Sequence, residues 1–61
     1  MYVDIQEHIK DAYTLLEMAL ELAIEDLPED DTLTQQLIGS KASVWQSLCL
    51  IDTILEKAED K

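Results

Sequence analysis

The sequence predicts an all-α fold, an antiparallel hairpin of two helices that pairs with a second copy into a four-helix bundle. Three observations lead to this prediction. Apolar residues recur every three or four positions in both halves, the only proline, Pro28, separates these halves, and 61 residues suffice for a single domain. A chain of this length buries only about 60% of its unfolded surface, so a partner surface would complete its core.

The first helix is predicted over about residues 4–27. Asp4 with Glu7 three positions later forms an Asp variant of the capping box at its start. No glycine or proline interrupts the apolar seam that follows. The seam consists of Ile5, Ile9, Ala12, Leu16, Ala19, Ala23 and Leu27. Pro28 disfavours helical geometry at Leu27, so the helix is expected to end there.

A turn at about 28–31 leads into the second helix, predicted over about residues 32–58. Thr32 and Gln35 form a T-x-x-Q capping box, and Asp31 competes as the cap one residue earlier. The seam of this helix consists of Leu37, Val44, Leu48, Ile51, Leu55 and Ala58, with Lys41 in the same register. Folding at the turn is expected to pair, within about one helical turn, Ala23 with Leu37, Leu16 with Val44, Ala12 with Leu48 and Ile5 with Leu55.

More apolar side chains occur on the first helix than one neighbour covers, because a single packed helix buries a stripe of roughly 100°. The residues expected in the core or in a self-association interface are Ile9, Ala12, Leu16, Ala19, Ala23, Val44, Trp45, Leu48, Ile51 and Leu55. In length, central turn and heptad spacing the chain resembles the Rop-type hairpins, in which two antiparallel pairs form a four-helix bundle. The RNA binding of that family is not expected, because this chain lacks a basic face.

Charge is distributed unevenly along the chain, whose formal net charge is −10. Residues 1–31 contain ten carboxylates and one lysine, a net of −9, whereas residues 32–61 contain four carboxylates and three lysines, a net of −1. Such a field repels nucleic acids and anionic membranes and attracts basic protein surfaces. The candidate acidic face for a partner consists of Glu17, Glu21, Glu25, Glu29, Asp30 and Asp31.

The second helix is poor in charge, since Lys41 is the only charged residue between Thr32 and Ile51. Its expected outward positions are small or neutral, namely Gln36, Gly39, Ser43, Gln46 and Leu50. Depletion of charge is typical of interface cores. This face is therefore predicted to be an interface, either with a second copy or with a different protein.

No catalytic site, metal or cofactor is expected. His8 is the only histidine and Cys49 the only cysteine, which leaves no metal-ligand set, no nucleophile–base pair and no internal disulfide. Cys49 is expected to pack as a small hydrophobe. The lone thiol, the lack of a signal peptide and the lack of a membrane-spanning apolar run predict a cytoplasmic protein.

The resulting functional hypothesis is a small acidic, non-enzymatic regulator that binds and inhibits or chaperones another protein. A basic nucleic-acid-binding or regulatory protein is the expected kind of target. Inhibitors of bacterial regulators that phages or plasmids encode are proteins of this general kind. The alternative is a structural module that forms a homodimer or an assembly subunit and has no separate target.

Overall fold

The computed structural model describes residues 1–59, which form two α-helices joined by a short turn. Helix α1 spans Tyr2–Asp26 and helix α2 spans Thr32–Glu59. The two helices pack against each other along their length, which confirms the predicted all-helical hairpin. Pairing of two hairpins into a four-helix bundle stays a prediction.

Helix α1 begins two residues before its predicted start. Met1 is the N-cap without a capping side chain, and the Ile5 amide donates a hydrogen bond to the Met1 carbonyl oxygen at 3.2 Å. The predicted cap at Asp4 is therefore wrong. No glycine or proline precedes Asp4, so the helix extends through it. The Asp4 carboxylate lies in the first turn, where the positive end of the helix dipole favours it.

Pro28 ends α1 for the predicted reason. Leu27 has extended backbone angles, φ −120° and ψ 154°, because the proline ring clashes with a helical conformation of the preceding residue. The helix therefore ends at Asp26, one residue earlier than predicted. The Leu27 amide still donates to the Ala23 carbonyl oxygen at 2.8 Å, and the Asp31 amide donates to the Pro28 carbonyl oxygen at 3.1 Å.

Asp31, and not Thr32, caps the start of α2. One Asp31 carboxylate oxygen accepts a hydrogen bond from the Leu33 amide at 2.9 Å. The Asp31 carbonyl oxygen accepts a second hydrogen bond, from the Gln35 amide at 3.1 Å. Thr32 is already the first helical residue. The Gln35 side chain reaches back and donates to the Glu29 carbonyl oxygen at 3.1 Å. A hydrogen bond to an ionised carboxylate is stronger than one to a hydroxyl, which explains the choice of cap.

Replacing Asp31 by alanine is expected to lower the free energy of unfolding by about 1 kcal/mol, because the Leu33 amide loses its acceptor. Urea midpoints measure this change. Asp30→Ala is the matched control, since it removes a carboxylate from the neighbouring exposed position. Equal losses of stability in the two variants would show that the Asp31 carboxylate does not act as a cap.

Two contacts between the helices give their register. The Gln6 side-chain amide donates to the Asp52 carboxylate, and the Tyr13 and Trp45 ring centroids lie 5.5 Å apart. The beginning of α1 therefore lies beside the end of α2, as in an antiparallel hairpin. Both contacts fall within about one helical turn of the predicted register.

The hydrophobic core of the hairpin is thin. Only Ala23, Leu48 and Ile51 are buried apolar residues, and none of the described side chains is fully enclosed. Five other residues predicted for the core are half-buried, namely Ile9, Leu16, Ala19, Val44 and Leu55. Contact between two helices buries only one stripe on each helix, so most side chains of the seam remain partly exposed to solvent.

Two predicted core residues lie outside this core. Trp45 is 53% exposed and stacks its ring against Tyr13 at the margin of the helix pair. Ala12 is exposed as well, because the side of α1 that contacts α2 runs through Ile9 and Leu16. Their placement in the core of the hairpin is therefore wrong, whereas a role in self-association is a separate question.

The hairpin is a rod of 49 × 15 × 12 Å with a radius of gyration of 14.5 Å. A globular chain of this length would have a radius of gyration of about 10 Å. Its accessible surface is 4887 Å², against about 4000 Å² for a compact monomer of this mass. The accessible surface includes many large apolar side chains, among them Tyr2, Val3, Ile5, Leu15, Met18, Leu22, Ile24, Leu33, Ile38, Trp45 and Leu50.

Candidate interaction surfaces

Helix α1 presents two mainly apolar rows, and the predicted seam contains residues of both. The first row contacts α2 and is at least half-buried throughout; it consists of Ile9, Tyr13, Leu16, Leu20, Ala23 and Leu27. The second row has the same alternating spacing and is exposed except at Ala19; it consists of Ile5, His8, Ala12, Leu15, Ala19 and Leu22. At 3.6 residues per turn the two rows lie roughly 90° apart around the helix.

The second row forms one side of the hairpin together with uncharged residues of α2. We name this side the neutral face. Its residues are Ile5, His8, Ala12, Leu15, Ala19, Leu22, Leu33, Gln36, Ser40, Ser43, Ser47, Leu50 and Ile54. Ala19, Leu22, Asp26 and Leu33 line one shallow depression, so both helices contribute to this side and Asp26 lies within it. By helical spacing, the other charged residues along it are Asp4 and Asp11 of α1 and Lys57 of α2.

The opposite side of the hairpin carries the aromatic residues. Tyr13 and Trp45 meet at an interplanar angle of 47°, and the Lys41 ammonium lies 5.4 Å from the Tyr13 ring centroid. This distance suits a cation–π contact. Lys41 is half-buried, and it occupies the seam register of α2, as predicted.

Two neighbouring shallow depressions lie on the aromatic side. The first is lined by Ile24, Leu27, Pro28, Glu29, Thr34, Gln35 and Ile38. The second is lined by Tyr13, Ile38, Lys41, Ala42, Trp45 and Gln46. Ile38 belongs to both and joins them. We name these residues together the aromatic groove.

Thr34, at the turn end of the aromatic groove, is buried without a partner for its hydroxyl. Its side chain is 4% exposed, and no hydrogen bond to its Oγ1 atom forms within residues 1–59. A buried hydroxyl without a partner costs about 1–3 kcal/mol. Nothing in the sequence pattern indicated it, because Thr34 lies in the first turn of α2, where threonine is ordinarily solvated.

The predicted acidic face divides into two parts. Glu17, Glu21 and Glu25 follow one another at successive turns of α1, and Glu17 is half-buried whereas the other two are exposed. By helical spacing, Glu17 lies one turn from Tyr13, and Glu21 lies one turn before Ile24. In the turn, Glu29 and Asp30 are exposed, whereas Asp31 is engaged in capping.

Cys49 is exposed, so its predicted role as a packed hydrophobe is wrong. By helical spacing it lies one turn after Trp45 on the same side of α2. Within residues 1–59, no three His, Cys, Asp or Glu side chains are grouped so that they could hold a metal ion.

Neither α1 nor the described part of α2 combines the length and apolarity that crossing a membrane requires.

Comparison of the chain with protein-family models, with curated proteins and with solved structures found no match. The resemblance to Rop-type hairpins is accordingly one of architecture, namely two antiparallel helices with a central turn.

Proposed function

We propose that this protein is a small acidic, non-enzymatic regulator that binds another protein and inhibits or chaperones it. The observation that carries the proposal is the separation of charge: −9 over residues 1–31 and −1 over residues 32–61. Folding places the carboxylates of Glu17 and Glu21 four residues apart beside the aromatic groove, whereas those of the neutral face, Asp4, Asp11 and Asp26, are spaced widely along α1. The two sides of the hairpin therefore suit two different occupants.

We assign the neutral face to a second copy, so that two hairpins form a four-helix bundle of the Rop type. Each helix of such a bundle contacts two neighbours, which requires two apolar rows about 90° apart. Helix α1 has this pair of rows. On α2, Ser40, Ser43 and Ser47 keep the facing surface small, which favours close approach of another helix. The dimer would also cover the apolar surface that the single hairpin exposes.

We assign the acidic side to a basic surface of a target protein. An acidic ridge attracts lysine- and arginine-rich surfaces and repels nucleic acids and anionic lipids. Nucleic-acid-binding proteins and their regulators commonly present such basic surfaces in the cytoplasm, where we place this protein. Occupying that surface would inhibit the target, or protect it until its natural ligand replaces the regulator.

The alternative function is a structural homodimer without a separate target. The exposed apolar residues of the neutral face favour it, since self-association alone accounts for them. It leaves the half-exposed Trp45 and the row of glutamates on the other side without a role. Because a regulator with its own target gives Trp45 and these glutamates a role, it is the better proposal.

The proposal is tested by immobilising the chain and capturing partners from a bacterial lysate at low ionic strength, where contacts between charges are strongest. We expect a basic protein in a stoichiometric amount. The Glu21→Gln/Glu25→Gln variant should retain much less of it than the Glu7→Gln/Asp11→Asn control, which removes two charges elsewhere on α1. Recovery of no stoichiometric partner would count against the regulator and for the structural module.

A further inference from the structure

The aromatic groove has the length of a docked helical segment. It extends along α2 from Thr34 to Trp45, which corresponds to roughly 16 Å or three helical turns. Apolar side chains dominate its lining, and Trp45, Ile38 and Ile24 remain substantially exposed within it. Short amphipathic helices bind to other proteins by laying apolar residues of three consecutive turns into grooves of this kind.

The charges around the groove are mainly acidic. Glu17 and Glu21 border it from α1 through their helical spacing to Tyr13 and Ile24, and Glu29 lines its turn end. Lys41 is the basic residue of its lining, and the ammonium lies above the Tyr13 ring. A ligand that fits both properties therefore needs an apolar stripe bordered by positive charge.

A second copy of the chain does not meet this requirement. It would bring its own Glu17 and Glu21 against the same residues, and like charges facing each other across an interface are unfavourable. The neutral face offers a second copy a longer surface, along which its three carboxylates, Asp4, Asp11 and Asp26, are spaced more widely than Glu17 and Glu21. The aromatic groove therefore remains available in the proposed dimer for a molecule of different composition.

We propose that the aromatic groove binds an amphipathic helix of the target protein, with leucine-like side chains against Ile38 and Trp45 and lysine or arginine side chains against Glu17 and Glu21. The exposed tryptophan supplies the kind of aromatic anchor that dominates many interfaces. This assignment rests on the proposed function and specifies the binding site and the chemistry of the partner.

The probe is a synthetic helical peptide of about four turns, with leucine at helical spacing on one face and lysine on both flanks. Trp45 is the only tryptophan of the chain, so its fluorescence reports binding in the groove directly. We expect a saturable blue shift of the emission as Trp45 leaves water. A peptide with glutamate in place of every lysine should produce no shift.

Matched variants locate the site. Glu17→Gln/Glu21→Gln should weaken peptide binding about tenfold, or about 1.4 kcal/mol, whereas Glu7→Gln/Asp11→Asn should change it less than about twofold. Ile38→Ser should also weaken binding, and Met18→Ser should not, because Met18 is 56% exposed and lies outside both the aromatic groove and the neutral face. Circular dichroism confirms in each case that the variant keeps its helices.

Three results would overturn the groove assignment: no Trp45 shift with the basic peptide, equal weakening by both double variants, or equal weakening by Ile38→Ser and Met18→Ser. None of these results bears on capture of a basic partner from the lysate. A chain that captures such a partner but fails the peptide test would be a regulator that binds through another surface. Failure of the capture alone would contradict the proposed function.

Discussion

Replacing Leu48 by alanine is expected to cost about 2–5 kcal/mol of the free energy of unfolding, enough to unfold the chain or to dissociate the proposed dimer. Leu48 is 7% exposed and is one of three buried apolar residues. A core this thin has few other contacts to compensate for the cavity. Leu16→Ala should act in the same direction but more weakly, because Leu16 is only half-buried.

Thermal unfolding followed by circular dichroism measures this loss. Met18→Ala is the control, because it truncates a side chain of similar size that is 56% exposed and lies outside both the neutral face and the aromatic groove. The control should retain cooperative unfolding at a similar temperature when the chain is concentrated. Retained helicity and cooperative unfolding in both Leu48→Ala and Leu16→Ala would mean that the described packing of α1 on α2 is wrong.

Replacing Leu15 by glutamate is expected to abolish self-association. Leu15 is 65% exposed in the hairpin and lies at the centre of the neutral face, where a second copy would bury it. A charge buried in an interface without a partner costs about 3 kcal/mol or more, which raises the dissociation constant of the dimer more than a hundredfold. Sedimentation equilibrium should then find a dimer for the wild type and a monomer or unfolded chain for the variant.

Ile24→Glu provides the control for Leu15→Glu. Ile24 is 62% exposed, belongs to the same helix and lies on the opposite side, in the aromatic groove. This variant should remain dimeric while it loses affinity for the basic peptide. A dimeric Leu15→Glu protein together with a monomeric Ile24→Glu protein would place self-association in the aromatic groove and reverse both of our assignments.

The hairpin was predictable because its determinants are local. Helical spacing, the absence of helix breakers within the first 27 residues and the effect of Pro28 on Leu27 all act within a few residues of sequence. The boundaries were less predictable, since Asp31 and Thr32 are both good caps and only the hydrogen bond to the Leu33 amide distinguishes them. Asp4 failed as a cap because nothing before it stops the helix.

The surfaces were harder to predict than the helices. The candidate set placed Ala12 and Trp45 in one interface, yet Ala12 belongs to the neutral face and Trp45 to the aromatic groove. Which side of α1 a residue occupies depends on the angle at which α2 packs, and this angle is a tertiary property. The two rows on α1 were visible in the sequence as two parallel sets of alternating three- and four-residue steps.

The thin core also has a consequence for how the amount of protein controls its activity. The described part of each chain buries three apolar residues. When folding depends on pairing, the stability of the fold rises with chain concentration. At low expression the folded dimer then increases with the square of the number of chains, while unpaired chains are exposed to proteolysis. At basal expression too little folded dimer would form for the regulator to bind its target. Once synthesis rises above a threshold, the concentration of the folded dimer, and with it the binding of the target, would increase sharply.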